Sequence, residues 1–253
     1  MRVLGVIPAR YAARRFPGKA LAKLLGKPML QHVWERARQV SELDELLIAT
    51  DDERICRAAE AFGAQVLLTS PEHLSGTDRL GEVAARYPEF THLINIQGDE
   101  PALKPEQIAE LVAILGLPDT PIATLCHALE DPRELQRPDV VKVAVGTGGY
   151  ALYFSRAPIP YHQKAPESTI NNLHFRHVGL YGYRRETLLR ITQLDPHALE
   201  NAEGLEQLRW LANGYAIRVG QTVYSSLGVD TPQDLPHAEE LLKARLAEEN
   251  SGK

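Results

Sequence analysis

Short apolar runs alternate with helix-period segments through the first half of the chain, and this alternation restricts the possible folds more than any other feature. Arg2–Ile7, Leu46–Thr50, Gln65–Thr69 and His92–Gln97 read as buried strands. After Pro28, the residues Met29, Leu30, Val33, Ala37 and Val40 recur at helical spacing. Asp51–Phe62 reads as a helix stopped by Gly63, with further helices over Asp78–Tyr87 and from Pro105 to about Leu115. Strands alternating with helices predict an α/β fold, a mainly parallel sheet with helices on both faces.

The middle of the chain departs from the pattern. Val140–Val145, the turn Gly146-Thr-Gly-Gly149 and Tyr150–Phe154 predict an antiparallel hairpin. A proline-rich loop follows, then a strand over His174–Tyr183. Helical spacing returns over Leu205–Leu211, and a last helix from Pro232 is expected to fade into the polar tail Glu248–Lys253. With no internal repeat and no low-complexity linker, the expectation is one domain over residues 1–253 with an inserted antiparallel β element.

Composition excludes several classes. A net charge of −5 speaks against a general nucleic-acid binder. No apolar run approaches the ~18 residues of a membrane span. The N-terminus lacks a basic region followed by a long apolar core, so a cytoplasmic protein is expected. Cys56 and Cys126 are too few for a disulfide framework or metal cluster and are expected as reduced core residues.

Positive charge is concentrated in one place. The loop Pro8-Ala-Arg-Tyr-Ala-Ala-Arg-Arg-Phe-Pro-Gly-Lys19 follows the first strand and carries Arg10, Arg14, Arg15 and Lys19. Loops leaving the carboxyl ends of such strands bind ligands, and forked arginines with a lysine suit phosphate oxygens. A triphosphate is the leading reading, with a solvated basic face as the alternative. Neither Gly18-Lys19 nor Gly26-Lys27 completes a P-loop, and no Gly-x-Gly-x-x-Gly follows the first strand.

Carboxylates emerge at two other turns. In Gln97-Gly-Asp-Glu-Pro101, Asp99 is placed to hold a hard divalent cation such as Mg²⁺, which takes one or two carboxylates plus substrate phosphates. Its alternative is a turn-forming Asp bonded to the backbone. Asp230, in Val229-Asp-Thr-Pro232, reads on its own as the start of the last helix. Ser75, Gly76 and Thr77 offer hydroxyls and backbone N–H groups to a base or phosphate, with Arg79 adding charge; Thr77 as a helix cap explains the same stretch equally well.

Ten strings in register resemble the 3-deoxy-manno-octulosonate cytidylyltransferases, the CMP-Kdo synthetases. They are Pro-Ala-Arg-Tyr (8–11), Phe-Pro-Gly-Lys (16–19), Gly-Lys-Pro-Met (26–29), Ala-Thr-Asp-Asp (49–52), Ser-Gly-Thr-Asp-Arg (75–79) and Gln-Gly-Asp-Glu-Pro (97–101). Tyr-Ala-Leu-Tyr-Phe-Ser-Arg (150–156), His-Val-Gly-Leu-Tyr-Gly-Tyr (177–183), Leu-Glu-Gln-Leu-Arg (205–209) and Val-Asp-Thr-Pro (229–232) complete the set. The resemblance implies a nucleotide-diphospho-sugar transferase-like fold and Mg²⁺-dependent transfer of CMP from CTP to Kdo, a 2-keto sugar acid of lipopolysaccharide biosynthesis, with release of pyrophosphate. It also implies a homodimer, with the antiparallel element near the interface within roughly residues 130–183.

By position, the resemblance gives Arg10 and Lys19 to the triphosphate with Arg15 beside them, and Ser75, Gly76, Thr77 and Arg79 to the cytidine. Asp99 and Asp230 would hold Mg²⁺. Gln97, Arg156, His177, Tyr183, Glu206 and Gln207 would line the sugar-acid pocket. Two positions depart from the family pattern: Ala13, where Ser is usual, and Asp78, where Glu is frequent. Alternatives are a cytidylyltransferase for 8-amino-Kdo or another 2-keto sugar acid such as a sialic acid, a metal-dependent glycosyltransferase, and a non-catalytic nucleotide-sensing module.

Overall fold

The computed structural model describes residues 1–12, 15–163, 172–225 and 227–251; Ala13 and Arg14 lie outside the described residues. The chain forms two compact units. One is Met1–Ala109 with Ser226–Lys253, and the other, Glu110–Ser225, is inserted between these segments in sequence.

The first unit begins with β1 (Val3–Ala9). A short antiparallel pair follows, β2 (Lys23–Leu24) and β3 (Lys27–Pro28), then α1 (Met29–Ala37). Next come β4 (Glu45–Thr50), α2 (Glu53–Ala61), β5 (Gln65–Leu68), α3 (Gly76–Arg86) and β6 (His92–Asn95). The four longer strands pair in parallel in the order β6-β1-β4-β5. Parallel crossovers are right-handed, so α1 and α2, which step one way along the sheet, cover one face, and α3, which returns, covers the other. The sequence of β1 agrees: Val3, Leu4, Val6 and Ile7 are at most 1% exposed, a continuous run of the kind a strand covered on both faces requires.

Caps set the helix starts. The Asp52 carboxylate accepts the Arg54 N–H (2.9 Å) ahead of α2. Ser75, rather than Thr77, caps α3: its hydroxyl accepts the Asp78 N–H, and the Asp78 carboxylate accepts the Ser75 N–H, both at 3.0 Å. The shorter carboxylate at position 78 thus has a defined local partner.

The C-terminal helix, Leu235–Ser251, follows a 3-10 turn over Pro232–Asp234 and continues through Ser251 instead of fading at Glu248. Leu24, Met29, Val229, Ala238 and Leu242 form one buried cluster, and Glu239 accepts the Leu25 N–H at 3.1 Å. These contacts fasten the two ends of the first unit together. The boundary between the units falls within α4 (Pro105–Leu115).

The second unit contains β7 (Ile122–Ala128), α5 (Pro132–Leu135), β8 (Lys142–Val145), β9 (Ala151–Ser155) and β10 (Phe175–Arg184). It ends with α6 (Arg185–Ile191), α7 (Ala198–Glu203), α8 (Gln207–Ala212) and β11 (Ile217–Gln221). The hairpin is present as β8 against β9; β10 runs antiparallel to β7 and β8, and β11 parallel to β7. Strands β7 and β11 were not anticipated from sequence. Thr124 and His127 interrupt the apolar pattern in β7, and β11 is only five residues long. Cys126 is a core residue whose burial pushes its thiol up to about 12, whereas Cys56 is only partly buried.

Arg79, 1% exposed, ties α3 to the ends of two strands. Its Nη2 donates to Asp51 (2.9 Å), and its Nη1 to the Thr69 hydroxyl and the Ser70 carbonyl. Arg79→Met keeps most of the volume but strands the Asp51 carboxylate. The expected loss is about 3 kcal/mol, read as a lower urea midpoint at unchanged slope.

Candidate functional site

From β1 the chain steps outward to β4 and β5, then returns to set β6 on the opposite side of β1. The loops leaving β1 and β6 therefore diverge, and such a reversal opens the crevice where α/β sheets bind ligands. A cleft of about 240 Å³ lies there. Pro8, Ala9 and Arg10 line it from the first loop, Gln97, Gly98 and Asp99 from the second, with Lys19, Ala20, Gly76 and Arg79 around them.

Local geometry aims the charges. Gly18 takes a left-handed φ of 73°, and its N–H reaches the Tyr11 carbonyl at 2.8 Å. A Cβ there would meet the Tyr11 ring at 3.2 Å, so glycine is needed for the turn that delivers Lys19. The Arg54 guanidinium covers that ring, 3.3 Å from its centroid. Gly98 is needed for a different reason: a Cβ would sit 3.1 Å from the Pro8 carbonyl oxygen, where the two loops approach.

Lys19 Nζ lies 2.6 Å from Asp99 Oδ2 and 3.6 Å from Asp230 Oδ1. Asp230 also meets Arg15 at 2.8 Å, but both side chains are more than half exposed, so that pair contributes little. Three further hydrogen bonds bring the carboxylates together. The Asp99 carbonyl accepts the Val229 N–H at 2.9 Å. Asp234 accepts the N–H groups of Asp230 (2.9 Å) and Thr231 (2.7 Å), which puts Thr231, not Asp230, at the helix cap. The Asp230 carboxylate is thereby directed to Arg15 and Lys19. Both aspartates converge on one cationic point, a hard-oxygen donor set that fits Mg²⁺ completed by substrate phosphates. No cluster of three or more metal-binding side chains occurs among the described residues, so this is not a closed protein cage.

Arg10 donates from Nη2 to the Leu74 carbonyl at 3.1 Å, and its other donors make no bond among the described residues. Ser75 and Arg79 have structural partners of their own, described above, while Gly76 opens α3 at the cleft wall. Thr77 is buried, and Gln97 turns the chain by accepting the Glu100 N–H at its carbonyl (3.3 Å).

Arg156, His177, Tyr183, Glu206 and Gln207 belong to the second unit. The Arg156 guanidinium donates to the carbonyls of Glu203 (2.6 Å), Pro138 (2.9 Å) and Gly204 (3.3 Å), leaving two of its five N–H donors unengaged among the described residues. The Glu203 carboxylate accepts from the Ser155 hydroxyl (2.6 Å) and the Arg156 N–H (2.8 Å), which fixes the chain just ahead of Glu206 and Gln207. Buried Lys142 donates to the carbonyls of Arg137, Val140 and Arg156. Sequence reasoning missed Glu203 and Lys142, because nothing local distinguishes them from surface charges.

His177 lies beside Phe154 and Tyr181, with centroids at 5.0 and 5.3 Å, and Tyr181 and Tyr183 pack edge-on against Trp210. His177 is half-buried, and the protein packed around it lowers its pKa to about 3, with a smaller push from the Arg176 charge. Tyr183 is fully buried within this aromatic group. Tyr181 is another residue sequence reasoning passed over. Its hydroxyl approaches Thr124 yet, among the described residues, forms no hydrogen bond of acceptable geometry, and the buried Trp210 indole N–H has no partner among them either. The signal was present in sequence as the Tyr-x-Tyr alternation at 181–183.

The class is set by a family described as cytidylyltransferase, whose sequence profile matches residues 4–219. A 3-deoxy-manno-octulosonate cytidylyltransferase of Solibacter usitatus is 50% identical over 97% of this chain and 96% of its own. One of Cytophaga hutchinsonii is 47% identical over 92% and 94%. A solved structure of CMP:2-keto-3-deoxy-manno-octonic acid synthetase complexed with CTP superimposes with a TM-score of 0.90 at 44% identity, covering 96% of this chain and 99% of that one. The 4-diphosphocytidyl-2C-methyl-D-erythritol synthase of Anaerococcus prevotii, 12% identical with a TM-score of 0.63, shares the fold. The chain belongs to the 3-deoxy-manno-octulosonate cytidylyltransferase family.

The depressed His177 pKa has a pH signature. The unfolded chain takes up a proton at this histidine as pH falls through about 6.5, while the folded protein does so only near 3. The group therefore withdraws stability progressively as pH falls between those values and is silent above them. His177→Gln is expected to flatten the urea-unfolding free energy over the upper part of that window.

Proposed function

We propose that this protein transfers CMP from CTP to 3-deoxy-D-manno-oct-2-ulosonate (Kdo) with release of pyrophosphate, a step of lipopolysaccharide biosynthesis, using Mg²⁺ and acting as a cytoplasmic homodimer. The observation that carries this reading is the convergence of Asp99 and Asp230 on Lys19 beside Arg10, at the sheet's reversal point, in a chain of this family. No helix among the described residues is long and apolar enough to cross a membrane.

The reaction requires the anomeric 2-hydroxyl of the acid to attack the α-phosphorus in line with departing pyrophosphate, which makes it chiefly a matter of positioning and charge neutralisation. Asp99 and Asp230 would hold Mg²⁺, which when bound supplies charge neutralisation at the phosphates and acidifies the attacking hydroxyl. Lys19 and the unengaged donors of Arg10 grip the triphosphate and stabilise charge on the leaving group, with Arg15 adding positive charge at the rim. Gly76 presents the N-terminal N–H groups of an eleven-residue helix, suited to phosphate or to polar edges of the base.

Arg156, with two donors left, suits the carboxylate of the sugar acid. His177, Glu206 and Gln207 supply further polar contacts; Tyr183 backs Tyr181, whose hydroxyl has no hydrogen-bond partner among the described residues. His177 is neutral at working pH and serves as a hydrogen-bonding group rather than the base.

Pyrophosphate release with CTP and Mg²⁺ against a panel of 2-keto sugar acids tests the reading: turnover with Kdo is expected, turnover with none overturns it, and preference for 8-amino-Kdo reassigns the acid. Asp99→Asn is expected to cut turnover by at least about 100-fold with an unchanged circular dichroism spectrum. Lys19→Ala should raise the KM for CTP by about tenfold; near-normal kinetics in both variants would remove the site assignment.

A further inference from the structure

Strand β10 carries a bulge opposite β7. Val178 pairs with Leu125 and Tyr181 with Thr124, so Gly179 and Leu180 fall out of register. The fully buried Thr124 hydroxyl serves the carbonyls freed by this bulge, with Oγ1 at 2.8 Å from the Leu180 oxygen and 3.2 Å from the Val178 oxygen. The same Oγ1 lies 3.0 Å from His177 Nε2.

A hydroxyl has one proton, and carbonyl oxygens only accept. If Thr124 donated to His177, two carbonyl oxygens would face a hydroxyl oxygen with no proton between them in a sealed site, a costly arrangement. The proton therefore goes to a carbonyl, Leu180 being the nearer, and Nε2 must be the donor to Oγ1. A neutral imidazole has a single N–H, so Nδ1 is left as a bare lone pair, and it has no partner among the described residues.

We infer that Thr124 is a positioning residue that locks His177 in the Nε2–H tautomer, so that Nδ1 recognises a hydroxyl of the sugar acid rather than its carboxylate. An acceptor lone pair attracts an O–H and repels a carboxylate oxygen, which leaves the carboxylate to Arg156. The inference rests on the proposed placement of the sugar acid at His177, but the tautomer stands on Thr124 alone.

The test is ¹⁵N-detected histidine NMR of the full chain, with the His177 signal assigned through His177→Gln, combined with pyrophosphate-release kinetics. The expected wild-type pattern is Nε2–H. Thr124→Val should mix or reverse the tautomer and raise the KM for Kdo by about three- to tenfold with the KM for CTP unchanged. Thr124→Ser, which keeps the hydroxyl, should restore both readouts and guards against a mere packing defect. An Nδ1–H signal in the wild type, or a tautomer indifferent to Thr124→Val, overturns the inference. A tautomer that responds while the KM for Kdo stays constant overturns hydroxyl recognition. An Nε2–H tautomer lost in Thr124→Val, in a protein that turns over no 2-keto sugar acid, supports the Thr124 lock and overturns the proposed function instead.

Discussion

The contact of Lys19 with Asp99 and Asp230 joins three stretches of chain, the first two separated by 80 residues, and most of the first unit serves to make it. Lys19 needs the left-handed turn at Gly18; Asp99 needs the glycine before it to clear the Pro8 carbonyl; Asp230 needs Thr231 at the helix cap, with Asp234 accepting the N–H groups there. The hydrogen bond from Val229 to the Asp99 carbonyl fixes the last two against each other. An ammonium between two partly shielded carboxylates is stable by itself, and it concentrates both signs of charge where a polyanion and its counter-cation would be handled.

The surrounding framework is apolar and continuous. β1 is buried on both faces, and each large aliphatic side chain removed from water there contributes roughly 1.5–3 kcal/mol. The cluster of Leu24, Met29, Val229, Ala238 and Leu242 holds the terminal helix beside the first loop. That cluster is why a carboxylate at position 230 belongs to a site begun at position 8. Polar groups supply direction within this frame: the Ser75–Asp78 box fixes where α3 begins, and Arg79 fixes where it sits relative to β4 and β5.

The second unit is held differently, with side chains satisfying backbone groups that loops, a helix end and one bulged strand leave open. Arg156 and Lys142 donate to main-chain carbonyls, and Thr124 serves the bulge in β10. Such networks are rigid when complete. The Tyr181 hydroxyl and Trp210 N–H, without partners among the described residues, are buried groups still able to bond.

The sequence by itself determined the parallel α/β half, since a repeated strand–helix period admits few other solutions, and it marked the basic loop and Asp99 because charges at strand ends have few structural uses. It also carried the family, through strings spread over the whole chain. It did not reveal β7 or β11, whose short and polar-interrupted runs become strands only through their neighbours. Nor did it separate Asp230 from a helix cap: that choice depended on Asp234, four residues on, and on Val229 bonding to the Asp99 carbonyl. The direction reversal that opens the cleft, the donors left on Arg156 and the proton on His177 were decided by tertiary structure alone. Each depends on partners distant in sequence, and hydrogen-bond geometry between distant groups leaves no local pattern to read.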